Sequence, residues 1–523
     1  MKNITAFSLI FASLLICFNR QAAAQKINAP AQRELLPGMI SDKIISPQER
    51  KPGTISIYGP YRPTISSIRK HKCPEWFRDA KFGMFIDWGI YSVPGWAPKQ
   101  EEGSMYPDGY LNHILHREAD REYHEKTWGK DFMPDDFIPL FTAENYNPQW
   151  LADLAKEAGM KYVIPFCKHH DGFCLWPSSY TDRNALRMGP HKDLIRPLVE
   201  ACNKNGLKFG FYFSVEEWRS LMIEDGVKKV RVWNGQPEKW NASTKQIKTM
   251  LSGKPFINGD FFADYIAPQA IEFIDLYDPD ILWFDGEWDY LMEQQHTPDI
   301  ISYFFNRAEG RKDVALNDRN GQARHKIGDF FTSEYHSLTH EMKLLFPWEE
   351  NRGISQSFGY NWQDTEENVL TVDEFIDLFV RTVSENGNLL LIVNLDGKGG
   401  LPPVQERRLR EIGKWLQING EAIYDSRPWI VNSENNGKIR YTQSKAGDAV
   451  YAVCTDFPVG ELTLKSLYIG KESTVTMLGA EHMKLNWTMK PGVWSERDLV
   501  VSIPDSLYNM RKNEYAWVFK ISL

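Results

Sequence analysis

The sequence predicts an α/β protein: a (β/α)8-type TIM-like barrel followed by a C-terminal antiparallel β-sandwich. Two patterns carry that expectation. Helical periodicities alternate with short, wholly apolar runs from about 63 to 420, which calls for parallel strands joined by crossover helices. Beyond 421 the apolar runs shorten, alternate with polar residues and lose their helical partners, as antiparallel strands do. The runner-up, a doubly wound sheet, lacks its usual dinucleotide signal, because no G-x-G-x-x-G turn follows an early strand.

Taken in order, Met1-Lys2-Asn3 precedes the apolar stretch Ile4 to Phe18, and Ala22-Ala23-Ala24-Gln25 supplies small residues for cleavage. Residues 1–25 therefore read as a signal peptide, too short for a membrane span, which makes the product secreted or periplasmic. A Pro-, Gln- and Lys-rich extension covers 26–62. In the barrel, expected over 63–420, Trp150, Leu151, Leu154, Ala155 and Ala158 recur at helical spacing, and the strand Tyr162–Phe166 follows. The same unit returns as Leu194–Cys202 before Lys208–Phe213, and as Ile271–Leu276 before Ile281–Phe284. Asp299–Arg307 precedes a strand near Val314–Leu316. Thr371 and Glu374 form a capping box for a helix to Val383, which Asn386-Gly387 stops before Leu389–Val393. The sandwich, 421–523, starts after a helix over Val404–Ile418.

Among 523 residues, Lys+Arg 61 against Asp+Glu 69 leave a net charge of −8, so there is no basic field for nucleic acid. With 42% hydrophobic residues and no later long apolar run, a membrane span is not expected. The five cysteines after Cys17 are odd in number and scattered, so they read as core residues. The 18 Trp, 22 Tyr and 29 Phe offer flat apolar faces that suit sugar rings, although a large core also uses them.

Barrel chemistry sits at the C-terminal ends of strands. Four segments qualify: the one ending in Asp87-Trp88-Gly89, then Lys168-His169-His170-Asp171, then Trp283-Phe284-Asp285-Gly286-Glu287-Trp288, and last Asn317-Asp318-Arg319 with 329–336. Adjacent histidines on an extended segment point to opposite sides, and no second His/Cys pair stands at ligand spacing, so no metal is assigned. Neutral imidazole suits hydroxyl recognition instead. Retaining glycosidic cleavage needs a second acid beside Asp285, and Glu334, Glu349 and Glu350 all qualify from the residues alone. A carbohydrate-binding protein without catalysis and a metal-dependent hydrolase on His169 and His170 are the alternatives.

These segments, with Trp76–Gly83 and Asn386-Gly387-Asn388-Leu389-Leu390, fall in the order and spacing of glycoside hydrolase family 29, which the chain resembles across roughly 70–523. The resemblance implies a barrel with a β-sandwich, and a retaining α-L-fucosidase-like exo-glycosidase acting without cofactors on glycans with a terminal α-L-sugar. By position it implies Asp285 as nucleophile and Glu334, before Tyr335-His336, as acid/base, with Glu349 the runner-up. His169, His170, Tyr212, Trp283, Arg319 and Phe358 are implied to line the sugar pocket, together with Asp87 and Asp108.

Two positions depart from the family pattern. Asp87 stands where the family carries a His, and Asp108-Gly109 stands where it carries Glu-Trp. The departures imply a roomier pocket, more acidic at one end, suited to a related α-L-hexoside such as an α-L-glucoside.

Overall fold

The computed structural model describes residues 41, 43–47, 58–100, 104–232, 249–322, 324–335, 337–492, 497–510 and 515–523. The expected signal peptide, most of the expected extension, and His336 lie outside them. Among the described residues no helix is long and apolar enough to cross a membrane.

Eight strands build one parallel sheet: β2 (Phe82–Asp87), β3 (Tyr162–Lys168), β4 (Lys208–Ser214), β8 (Ile281–Asp285), β9 (Ala315–Leu316), β10 (Phe331–Glu334), β11 (Trp348–Gly353) and β12 (Gly387–Asn394). Each of these strands except β9 pairs with the one introduced after it, and β12 returns to pair in parallel with β2, which curls the sheet into a barrel. The one seam lies between β9 and β10, where no strand pairing forms. Side chains close it instead. Asp318 accepts from the backbone N–H and the hydroxyl of Thr332 at 2.9 and 2.8 Å, and Leu316 N–H donates to Asp329 at 2.9 Å.

The crossover helices include Pro148–Glu157, Arg196–Asn205, Ala267–Tyr277, Thr297–Ala308 and Val372–Ser384. The capping box on the last forms as the sequence implies, with Glu374 accepting from Thr371 N–H at 2.8 Å. The apolar runs are continuous because both faces of the sheet are covered. One face packs on the helices. The other meets itself inside the barrel, where Phe85, Tyr162, Phe166, Tyr212, Trp283 and Leu390 form a closed interior.

Three short strands outside the barrel, β5 (Arg219–Glu224), β6 (Val227–Val232) and β7 (Phe256–Ile257), join β1 (Ile44–Ile45) in a side sheet of order β1-β7-β5-β6. The described parts of the segment 218–264, between β4 and β8, are therefore partly sheet. Its β5–β6 hairpin turns at Asp225-Gly226, both at positive φ.

The C-terminal part is a sandwich. A five-stranded antiparallel sheet, in the order β13 (Ser426–Glu434), β14 (Ile439–Ser444), β15 (Ala449–Cys454), β20 (Trp517–Ser522) and β17 (Val475–Met477), faces a three-stranded one, β16 (Gly460–Leu464), β19 (Asp498–Ile503) and β18 (Trp487–Lys490). Tyr441, Val450, Leu464, Leu499, Val501 and Phe519 form the shared core. It docks on the barrel through Trp415, whose indole N–H donates to the Ala516 carbonyl at 3.1 Å, and through Arg427 and Lys445, which pair with Glu75 and Asp79. Cys73, Cys167, Cys174, Cys202 and Cys454 are all free thiols, four of them buried.

Candidate active site

A cavity of about 790 Å³ opens at the C-terminal ends of the barrel strands. Its floor is aromatic: Phe85, Phe166, Tyr212 and Trp283 come up from the closed interior. Phe166 and Tyr212 stack at 3.8 Å, and Trp283 lies 5.6 Å beyond Tyr212. Seven of the eight sugar-pocket candidates from the sequence, Asp108, His169, His170, Tyr212, Trp283, Arg319 and Phe358, line it, together with both candidate acids, Asp285 and Glu334.

Asp285 ends β8, and Gly286 follows at φ +94°; a Cβ on Gly286 would meet Glu216 at 3.0 Å. That close approach requires glycine. Four donors hold the Asp285 carboxylate. Tyr212 hydroxyl and His170 Nε2 reach Oδ2 at 2.7 and 3.3 Å, and Gly286 N–H and Arg319 Nη1 reach Oδ1 at 3.0 and 3.3 Å. Burial alone would raise its pKa. The hydrogen bond and charge of His170, then Arg319 and Tyr212, outweigh burial and hold the carboxyl well below the usual range.

His170 is oriented by geometry. Its Nδ1 faces the Glu216 carbonyl at 2.9 Å while Nε2 faces Asp285, so two acceptors meet the two nitrogens and only the imidazolium satisfies both. Burial opposes that charge, but Asp285 and the Glu216 carbonyl raise the ring's pKa. His169 points elsewhere, with Nε2 3.7 Å from Asp108. Burial and the neighbouring His170 charge push it well down. The two rings thus differ in charge and serve separate carboxyls. Among the described residues, no group of three or more His, Cys, Asp or Glu is placed to hold a metal ion.

The segment Asn317-Asp318-Arg319 divides its work by residue. Asn317 exchanges two hydrogen bonds with the Phe284 backbone, extending the short β9 alongside β8. Asp318 closes the seam. Arg319 donates through Nε to Thr332 at 2.9 Å and is fixed over the Trp283 ring at 5.2 Å. Its fork then reaches two acids at once, with Nη1 to Asp285 at 3.3 Å and Nη2 to Glu334 at 3.4 Å.

Glu334 ends β10, and Tyr335 at φ +49° turns the chain away behind it. Its side chain is 34% exposed, against 13% for Asp285. Glu349 lies elsewhere. It is the second residue of β11, near the strand's start rather than its end, and is fully buried under the cavity floor. There it accepts from Tyr162 hydroxyl at 2.6 Å and Trp283 indole at 2.9 Å, and burial, offset in part by these bonds, pushes its pKa up to about 7. Glu350 is also fully buried and does not line the cavity.

Asp87 ends β2 but stands behind the wall rather than on it. It is fully buried and accepts from Tyr91 hydroxyl at 2.5 Å, while Oδ2 has no partner. Burial and the Asp108 charge raise its pKa well above the carboxylate range. Asp108 Oδ1 is likewise buried without a partner, and burial lifts that carboxyl to about 7. The opening expected at Gly109 is filled: the His113 ring occupies it. Sequence reasoning missed His113, Tyr106, Trp218 and Trp288 on the wall. Tyr106 stacks on Phe358 at 5.6 Å, and Trp288, in a segment already singled out, lies 4.9 Å from His170.

Beneath the histidines, Glu217 holds Lys168 at 3.1 Å and Lys254 at 2.7 Å, all three fully buried. Burial would raise Glu217, but the two ammonium groups bring it down to about 2. Glu217→Ala strands two buried cations beside the His169 segment, an expected loss of about 3–5 kcal/mol. A lowered midpoint in thermal unfolding checks it.

Comparison with known proteins agrees with this geometry. The α-L-fucosidase family model matches residues 53–421, and the α-L-fucosidase C-terminal domain matches 432–522. Tissue α-L-fucosidase of Homo sapiens is 32% identical, covering 88% of this chain and 92% of that protein. The Bos taurus enzyme is 33% identical over 88% and 91%. The crystal structure of Thermotoga maritima α-fucosidase superposes with a TM-score of 0.71 at 34% identity, covering 88% of this chain and all of that one. The chain is a glycoside hydrolase and belongs to the α-L-fucosidase family.

Proposed function

We propose that the chain is a retaining exo-α-L-glycosidase that removes terminal α-L-fucosyl-type residues from oligosaccharides or glycoconjugates by double displacement. One observation carries the proposal: a single guanidinium, Arg319, contacts both Asp285 and Glu334 on one cavity wall. Two carboxyls brought to one cation in unlike environments support the retaining mechanism, which uses one as nucleophile and the other as acid/base about 5–5.5 Å apart. The cavity ends on a closed aromatic floor, a shape that suits a terminal sugar and supports exo action.

In the first step the Asp285 carboxylate attacks the anomeric carbon and the glycosidic C–O bond breaks. Glu334 gives its proton to the departing oxygen. In the second step water attacks the same carbon, Glu334 takes the proton, and Asp285 leaves as carboxylate. His170 and Arg319 keep Asp285 anionic at both ends of the cycle. Every group needed is a side chain or water. Proton NMR of the first hemiacetal released from a nitrophenyl α-L-fucoside tests the reading. The α anomer is expected, and a β product rules it out.

A specific observation favours a second sugar. Asp108 lines the cavity wall, where its carboxyl offers a hydrogen-bond partner to a hydroxyl-bearing ligand. A C6-hydroxylated α-L-hexoside, such as an α-L-glucoside, brings one more hydroxyl than L-fucose. Side-by-side kcat/KM on nitrophenyl α-L-fucoside and α-L-glucoside separates the two. Fucoside preference of about a hundredfold or more removes the second sugar. The apolar segment after Met1-Lys2-Asn3 supports export as the setting.

A further inference from the structure

Gly109 stands on the cavity wall just before the helix Tyr110–His116, and the space a side chain there would take is already occupied. A Cβ on Gly109 would lie 2.3 Å from Cε1 and 2.5 Å from Nε2 of His113. The imidazole folds back over Gly109 from one helical turn further on, the i to i+4 relation that places side chains on one face. His113 lines the cavity itself, with Asp108 and Trp218, and its side chain is 15% exposed. Glycine at 109 is thus what admits the ring to the wall.

The ring's chemistry follows from its neighbours. Burial, then the positive charges of Arg117 and His116, push its pKa down to about 4, so the imidazole is neutral at neutral pH. Nδ1 faces the buried Asp120 carboxyl at 3.8 Å, beyond hydrogen-bond distance, and we take the tautomer with the proton on that side. Nε2, on the Gly109 side, then carries the lone pair. An apolar wall at this place would select a methyl group. An acceptor selects a hydroxyl.

We propose that His113 is a specificity-determining residue, its Nε2 accepting a hydrogen bond from the exocyclic hydroxymethyl group of an α-L-hexoside. The proposal rests on the glycosidase reading above and deepens it. The hydroxyl is recognised by one acceptor beside Asp108, and the 6-deoxy sugar leaves that acceptor without a partner.

Nitrophenyl α-L-galactoside and α-L-fucoside isolate the effect, because they differ only in the hydroxyl on C6. His113→Phe keeps a ring on the wall and removes the acceptor, and His113→Gln restores an acceptor without the ring. In His113→Phe the galactoside-to-fucoside ratio of kcat/KM is expected to fall roughly tenfold, mostly through KM, and His113→Gln to recover part of it. His113→Ala, which loses both features, serves if the Phe ring is not accommodated, and its ratio falls likewise. A ratio unchanged within about twofold in these variants overturns the proposal, as does a parent enzyme that cleaves the fucoside and is inert to the galactoside. A parent enzyme inert to every α-L-glycoside overturns the glycosidase reading itself.

Discussion

Asp285→Asn is expected to fold and to lose kcat by on the order of 10^3-fold or more on a nitrophenyl α-L-fucoside. The amide cannot form the glycosyl ester on which both steps depend. The substitution also has a cost to stability, and its sign is fixed by the site. His170 and Arg319 hold the carboxyl below its unfolded pKa, so the ionised form stabilises the fold above that unfolded value, and the contribution is lost as pH falls through the folded one. At neutral pH the Asn variant therefore melts lower than the parent, and His170, deprived of its counter-ion, returns toward neutrality. NMR titration of that ring reads the second effect. Asp285→Gly adds a sharper test, because it leaves room for azide beside the anomeric carbon. Azide is expected to restore turnover and to give the β-L-glycosyl azide, inverted relative to the substrate. A variant keeping more than about a tenth of parental kcat shows Asp285 to be a structural carboxylate, and the assignment fails.

The barrel was legible because its strands are short, wholly buried and separated by helices of ordinary amphipathicity. Tyr162–Lys168 and Gly387–Asn394 could be read as apolar runs, and each is buried along its whole length. Phe331–Glu334 and Trp348–Gly353 could not, since they carry Thr, Ser, Glu and Asn on the faces that build the site and its support. The same cause hid the depth of Glu349. A carboxyl two residues into a strand and one at the end of a strand look alike in sequence, and only pairing with Asn388 on β12 and Thr332 on β10 fixes the level of Glu349 in the barrel.

Asp87 shows the converse. Its position at the end of an apolar run was right, but the hydrogen bond from Tyr91, four residues on, turns it into the layer behind the wall. His113 left no signal of its own. Its place depends on Gly109 lacking a side chain, a relation across one helical turn that acquires meaning only beside a cavity.

Glu334→Ala is expected to show its effect through the leaving group. With a natural glycan or an alkyl glycoside the departing oxygen needs a proton, and kcat/KM is expected to fall by roughly 10^2–10^4-fold, the usual worth of general acid–base catalysis. With a dinitrophenyl leaving group the first step needs little help, so kcat/KM stays near the parental value while kcat falls, because water now attacks the glycosyl ester without a base. Azide needs no base, so it is expected to restore kcat and to give the α-L-glycosyl azide, of retained configuration. That product is opposite to the one from Asp285→Gly. Glu349→Gln is the control, expected to keep activity within about tenfold and to show no dependence on the leaving group, since its carboxyl is committed to Tyr162 and Trp283. If the Glu349 variant carries the leaving-group dependence and the azide response, and the Glu334 variant carries neither, the two acids exchange roles. The structure gives a reason to expect otherwise. Asp285 is enclosed by four donors and cannot keep a proton, whereas Glu334 meets one cation and a third of its surface is open to water. A group that must hold a proton, release it and collect another in each turnover has to exchange with solvent, and of these two carboxyls only Glu334 stands where it can.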